Sequence, residues 1–188
     1  MFHMDYDLAI ESAPETIPGG TGILLIHPST GETDRIDTDR ILVISTRTTA
    51  REVQQKLEYY DVDETKADIL DTLSVERGYS RRSSEHVHYV SAPDDLDGIV
   101  ETTREFLDEH GGKRRISLDS VTEMAYYADE ERALETVEKL LGLLEEYDAV
   151  GLFHLSEEVH DAADVEAFKS LFDGIVYLDA DGSVRSEF

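Results

Sequence analysis

Short apolar runs alternating with amphipathic stretches predict an α/β protein: a three-layer domain with a mainly parallel sheet and helices on both faces. Two observations carry this expectation. Ile23-Leu24-Leu25-Ile26, Ile41-Leu42-Val43-Ile44 and the run over 149–155 are continuously apolar, as strands covered on both faces are, and do not alternate with polar residues. Between such runs apolar residues recur at helical spacing, most clearly at Leu134, Val137, Leu140, Leu141 and Leu144.

Taken in order, residues 1–21 read as a poorly ordered or loosely packed lead-in ending in Pro18-Gly19-Gly20, and 22–188 as a single domain. The first strand is expected over 23–27, followed by a polar, turn-rich stretch over 28–40. A second buried strand falls over 41–46. Thr48 or Thr49 then caps a helix over 50–60 with Val53 and Leu57 facing the core. A short strand is expected over 67–73, a charged loop over 75–85 and a strand over 86–90. Asp94 and Asp95 open a helix with Leu96, Ile99, Val100, Phe106 and Leu107 on one face, and Gly111-Gly112 ends it. A strand over 115–120 ends in a carboxylate. The longest helix covers 129–148 and is followed by a strand over 149–155. A short helix over 164–172 turns Val165, Phe168 and Phe172 inward, a strand follows over 174–178, and Asp181-Gly182 turns the chain into a last antiparallel strand over 183–188. In such sheets ligands bind at the carboxyl ends of the strands. That edge carries 28–33, 46–48, 119–123 and 154–158.

Composition removes several function classes. Seventeen basic and 43 acidic residues give a net charge of −26, spread along all 188 positions. A duplex-binding face needs basic residues to release counterions, and the only basic clusters are Arg81-Arg82 and Lys113-Arg114-Arg115, so nucleic acid is not an expected partner. No apolar window reaches a membrane span, and the first eleven residues have no basic n-region leading into an apolar core. The absence of cysteine excludes disulfides, thiolate metal sites and cysteine nucleophiles, and fits a cytoplasmic chain. The dispersed acidity and scarce lysine resemble proteins of salt-accumulating haloarchaea, where concentrated cations screen self-repulsion.

The stretch from Ile23 to Thr33 runs as an apolar strand into a Pro/Ser/Thr/Gly turn, where a phosphate-binding loop of pattern G-x-x-x-x-G-K-[ST] would sit. With Gly31 as the second glycine and Thr33 as the hydroxyl, the first glycine is replaced by Ile26 and the lysine by Glu32. Reversing that charge about 4 Å from a phosphate changes the interaction by ~2–8 kcal/mol. A β-branched residue at the first position also resists the dihedrals a glycine supplies. Only 33–40 is left for the helix that should follow, about two turns.

The order of these pieces resembles the RecA-like ATPases of the KaiC family, over roughly 19–187. The family's loop reads G-x-P-G-T-G-K-T, and Pro28, Thr30, Gly31 and Thr33 match it while Ser29 and Glu32 do not. Its Walker B strand ends in Asp-Ser, matched by Asp119-Ser120, and the resemblance implies a magnesium-linked role for Asp119. After the second strand the family carries two glutamates, one the catalytic base. Here Ser45-Thr46 is followed by Arg47-Thr48. The run from Asp173 to Leu178 is similar to the family's closing strand.

Other constellations are weaker. His86 and His88 share one face of a strand, and His154 and His160 flank a strand end, but a zinc site wants three or four converging ligands. Asp119, Glu123, Glu157 and Glu158 are candidates for paired acids at the carboxyl edge. Ser120 lacks a Gly-x-Ser-x-Gly setting. Tyr126-Tyr127 is read first as packing, with a partner-binding aromatic pair as the alternative. These readings lead to a non-catalytic, RecA/KaiC-like regulatory or protein-interaction module with a vestigial phosphate loop (Pro28, Ser29, Thr30, Gly31, Glu32, Thr33), a Walker-B-like pair (Asp119, Ser120), no catalytic or metal residues and no dedicated cofactor, with weak ATP/magnesium binding left open. A protein partner or a homo-oligomer is expected. The alternative is a nucleotide-binding ATPase with an atypical phosphate loop.

Overall fold

The structure, a computed structural model, describes residues 3–27, 38–59, 64–79 and 85–188. Among the described residues, a two-stranded antiparallel hairpin, β1 (Asp5–Asp7) and β2 (Thr16–Pro18), precedes an eight-stranded sheet. The sheet strands are β3 (Gly22–Ile26), β4 (Arg40–Ser45), β5 (Ala67–Asp71), β6 (Val87–Tyr89), β7 (Arg114–Asp119), β8 (Val150–Leu155), β9 (Gly174–Leu178) and β10 (Val184–Glu187). Their spatial order is β10-β9-β3-β8-β7-β4-β5-β6. All neighbours run parallel except β10, which returns antiparallel on β9 after the Asp181-Gly182 turn. The helices are α1 (Ala50–Tyr59), α2 (Ser74–Arg77), α3 (Leu96–Glu109), α4 (Val121–Tyr127), α5 (Glu130–Tyr147) and α6 (Ala162–Lys169).

Side-chain alternation sorts the strands' residues onto the two faces of the sheet. Leu24, Ile26, Leu42, Ile44, Leu70, Ile116, Leu118 and Phe153 point to one face and pack under α3, α4, α5 and α6. On the other face, Val43, Ile69 and Val87 meet Ala50, Val53 and Leu57 of α1. Both faces of the continuously apolar strands are therefore covered, as their sequence requires. The long helix turns Ala133, Val137, Leu140, Leu143 and Leu144 fully inward, while Leu134 and Leu141 are only partly buried.

The lead-in departs from expectation. Far from loosely packed, it places Tyr6, Leu8, Ile10 and Ile17 against Ile23, Leu25, Val150, Leu152 and Val176. Half of one outer layer is thus a hairpin. Alternation in Asp5-Tyr6-Asp7 and Thr16-Ile17-Pro18 was the signal, too short to register as a strand. Tyr6 anchors it: its hydroxyl donates to Asp148 O at 2.8 Å and accepts from Arg114 N at 3.2 Å. Arg114 is itself buried, and its guanidinium donates to the carbonyls of Leu107, His110, Gly112 and Tyr147. A cation placed there satisfies the orphan carbonyls at the ends of α3 and α5.

Two further differences are local. The expected charged loop over 75–85 opens with α2, ended by Gly78 in the left-handed region. The chain after Asp119 forms α4, capped by the Ser120 side chain, which accepts from Glu123 N. Of the helix starts read from sequence, Asp95 accepts from Gly98 N and Thr49 caps α1, bonding reciprocally with Glu52; Asp129 also caps α5, accepting from Arg132 N.

Candidate functional site: the carboxyl edge of the sheet

The register of the parallel strands brings four strand ends together. Ser45 of β4 lies opposite Asp119 of β7, and His154 of β8 lies opposite Leu25 of β3, one residue short of Ile26-His27. The edge therefore holds 45–48, Asp119-Ser120, His154 and His27 in one row. The phosphate-loop residues Pro28, Ser29, Thr30, Gly31, Glu32 and Thr33 lie outside the described residues.

Arg47 closes on Asp119. Its Nε donates to Oδ1 and its Nη2 to Oδ2, both at 2.8 Å, a planar fork on a carboxylate. Burial pushes the Asp119 carboxyl up, but the Arg47 hydrogen bonds, with the Arg47 and Lys56 charges, outweigh it and hold it below the usual carboxylate range. Asp119 is thus an anion already matched by a tethered cation. The sequence placed Arg47 where the KaiC resemblance expects glutamate; that it reaches Asp119 follows from β4 and β7 being neighbours, which no motif spacing states.

Behind this pair, Thr46 stitches the two strands. Its Oγ1 accepts from Ser120 N at 2.8 Å and donates to Ser120 O at 3.1 Å. The Asp119–Ser120 peptide is cis. Ser120 is buried, and its side chain caps α4.

His154 is enclosed, and His27 Nε2 lies 3.3 Å from its Nδ1. Burial lowers the His154 pKa to about 4; the Asp119 carboxylate opposes this, and His27, Arg47 and Lys56 add to it. His154 is neutral at neutral pH, so one imidazole of the pair donates and the other accepts.

The remaining candidates separate. Glu157 and Glu158 are exposed on a 3-10 turn, Glu123 is half-buried in the first turn of α4, and Asp119 is committed to Arg47. Among the described residues no group of three or more His, Asp or Glu is placed to hold a metal ion. His160 is committed to Glu130 and Thr122, at 2.8 and 2.9 Å. His86 and His88 do share a face, and both reach the buried Asp68, at 3.2 and 3.0 Å, together with Arg40 Nη2 at 3.2 Å. That cluster sits at the opposite end of the sheet. Asp71, fully buried at the carboxyl end of β5, accepts from Ala50 N, Leu73 N, Ser74 N and Ser74 Oγ and fixes the starts of α1 and α2. Tyr126 is not a packing residue, being 80 % exposed, whereas Tyr127 is only 36 % exposed; their rings meet edge-on.

A family model described as a family of unknown function, DUF7090, matches residues 4–188. No curated protein matches the chain in sequence. Among solved structures, a KaiC-like protein of the hyperthermophilic archaeon Pyrococcus horikoshii superposes with a TM-score of 0.64 at 17 % identity, over 94 % of this chain and 82 % of that one. An uncharacterized protein of the same organism, solved with an unknown peptide, gives 0.63 at 12 %, over 90 % and 83 %. A prototypical ATPase of the type III secretion system of pathogenic bacteria gives 0.63 at 14 %, over 96 % of this chain; the chain spans 58 % of that ATPase's length. The fold is the RecA/KaiC-like one that the sequence order resembled, and at these identities the likeness concerns fold alone. Among the described residues no helix is long and apolar enough to cross a membrane.

Proposed function

The chain belongs to DUF7090, and we propose that it is a non-catalytic, RecA/KaiC-like regulatory or protein-interaction module in the cytoplasm of a halophilic organism, a pseudo-ATPase with a degenerate phosphate loop. One observation carries this reading: the bidentate Arg47–Asp119 pair. In a phosphoryl-transfer site the strand-end aspartate serves a magnesium ion that bridges the phosphates. Here a guanidinium takes one hydrogen-bonding position on each carboxylate oxygen and neutralises the group from within the chain. A divalent ion would have to displace two charge-assisted hydrogen bonds, each worth about 1.5–3 kcal/mol, and would meet the displaced cation at close range.

The sequence of the loop supports the same reading. Glu32 stands where the phosphate lysine would, Ile26 where the first glycine would, and Arg47 where a glutamate base would. Magnesium-dependent phosphate release from ATP, assayed in concentrated KCl, is the test. The reading predicts none above a protein-free control. Release that vanishes in Asp119→Ala would overturn it in favour of an ATPase with an atypical loop.

A further inference from the structure

We propose that the groove between the first turns of α3 and α5 binds a small basic amino acid, a free molecule with one carboxylate and two cationic groups. The proposal is independent of the pseudo-ATPase reading. Toward their C-terminal ends the two helices are tied together: Arg104 of α3 pairs with Glu146 of α5 at 3.6 Å, and the Tyr147 hydroxyl donates to Asp108 at 2.6 Å. Toward their N-terminal ends a groove of about 380 Å³ lies between them. One wall is Asp94, Asp95 and Asp97 around the start of α3, and the other is Arg132, Glu135 and Lys139 of α5. Arg132 and Lys139 are two turns apart on one face of the helix, about 10 Å along its axis. Among the described residues, Arg104 and Lys169 find carboxylates on their own helices, whereas Arg132 and Lys139 pair with none. Charges of both signs thus face one cavity without closing it.

The class of ligand follows from the whole set of lining charges. The groove carries four carboxylates and two cations, an excess of two negative charges. Glu101, Glu131 and Glu138 neighbour these positions along the helices and add the same sign. Asp95 is committed as the cap of α3, accepting from Gly98 N, Ser91 N and Ser91 Oγ, which leaves Asp94, Asp97 and Glu135 for a ligand. An apolar molecule would strip water from these groups and find only Leu96 as an apolar wall. A simple anion would meet the carboxylates, and a simple metal cation would meet Arg132 and Lys139. A molecule with a carboxylate at one end satisfies the Arg132 fork, with Lys139 adding attraction, while its α-ammonium meets the aspartates opposite. A second cationic group matches the remaining negative excess, so lysine or arginine fits better than a neutral or acidic amino acid.

The test is an amide NMR titration of the whole protein with free lysine, beside cadaverine, norleucine and glutamate, in about 1 M KCl, where non-specific attraction to the acidic surface is screened beyond about 3 Å. Cadaverine lacks the carboxylate and norleucine the second ammonium. Lysine should give saturable shifts confined to 94–97 and 132–139, with a dissociation constant of about 1–10 mM. Cadaverine and norleucine should each bind about threefold or more weaker, and glutamate not at all. Arg132→Ala should abolish the advantage of lysine over cadaverine, and the double change Asp94→Asn, Asp97→Asn its advantage over norleucine. All three side chains are exposed, so these variants keep the fold. No saturable shift up to about 100 mM lysine, shifts spread over the acidic surface, equal affinities for lysine, cadaverine and norleucine, or unchanged selectivity in Arg132→Ala would each overturn the proposal. None of these outcomes bears on the pseudo-ATPase reading, which magnesium–ATP titration tests separately.

Discussion

Acidification should destabilise the protein through His154. The unfolded chain takes up the proton near 6.5, whereas the enclosed imidazole in the folded chain resists it down to about 4. Between those values the unfolded state binds more protons, so stability falls as the pH falls. The gap corresponds to about 3 kcal/mol once both states are protonated, and to about 2 kcal/mol at about pH 5. The other shifted groups do not mimic this. Asp119 and Asp68 are held below the usual carboxylate range, so their contribution is present above about 3.8 and lost only as the pH falls through their folded values. His88 is raised, chiefly by its hydrogen bond to Asp68; its stabilisation is full below 6.5 and fades as the pH rises through its folded value, the opposite sense. His110 is lowered, burial first, but lies at the far end of the sheet and is unchanged by substitution at His154. Urea unfolding of wild type and His154→Gln at about pH 7.5 and about pH 5, at constant KCl, isolates the term: wild type should lose about 2 kcal/mol more than the variant. Parallel losses would refute the enclosed, neutral His154.

Three further substitutions probe the frame around the site. Arg47→Ala leaves Asp119 without its fork; because the Asp119 side chain retains 22 % exposure, the loss should be about 1–3 kcal/mol, and an NMR titration should find the Asp119 carboxyl raised. Asp71→Ala removes the acceptor of four hydrogen bonds at a fully buried position, so chemical denaturation should show a loss of about 3–5 kcal/mol, larger than for Arg47→Ala. Tyr6→Phe leaves the Asp148 carbonyl and the Arg114 N–H without their shared hydroxyl partner and should cost about 1–3 kcal/mol; a loss near zero would mean that the hairpin is not anchored there.

Much of the sheet was legible because strands buried on both faces leave continuous apolar runs, and because Asp95, Asp129 and Asp181-Gly182 mark element boundaries by chemistry that works locally. What was missed depends on distant partners. The hairpin's strands are three residues each and become strands only because Tyr6 and Ile17 find β3, β8 and β9. Likewise, α4 occupies the stretch between the expected strand over 115–120 and the helix over 129–148, to which no element was assigned. His86 and His88 were seen as a pair, but not Asp68 and Arg40, which join them across β4 and β5. At the site, loss of the loop lysine and the base was written in Glu32 and Arg47, whereas the use made of Arg47, closing on Asp119, required the β4–β7 register.

The most direct measurement is equilibrium binding of ATP, with and without magnesium, to wild type and Arg47→Ala in concentrated KCl, where a chain of charge −26 is screened. A tethered guanidinium on Asp119 predicts no magnesium-dependent binding to wild type up to about millimolar nucleotide, that is, nothing tighter than about −4 kcal/mol. Micromolar, magnesium-dependent binding to wild type that weakens in Asp119→Ala would contradict the account, because the carboxylate would then be serving a metal while Arg47 is present.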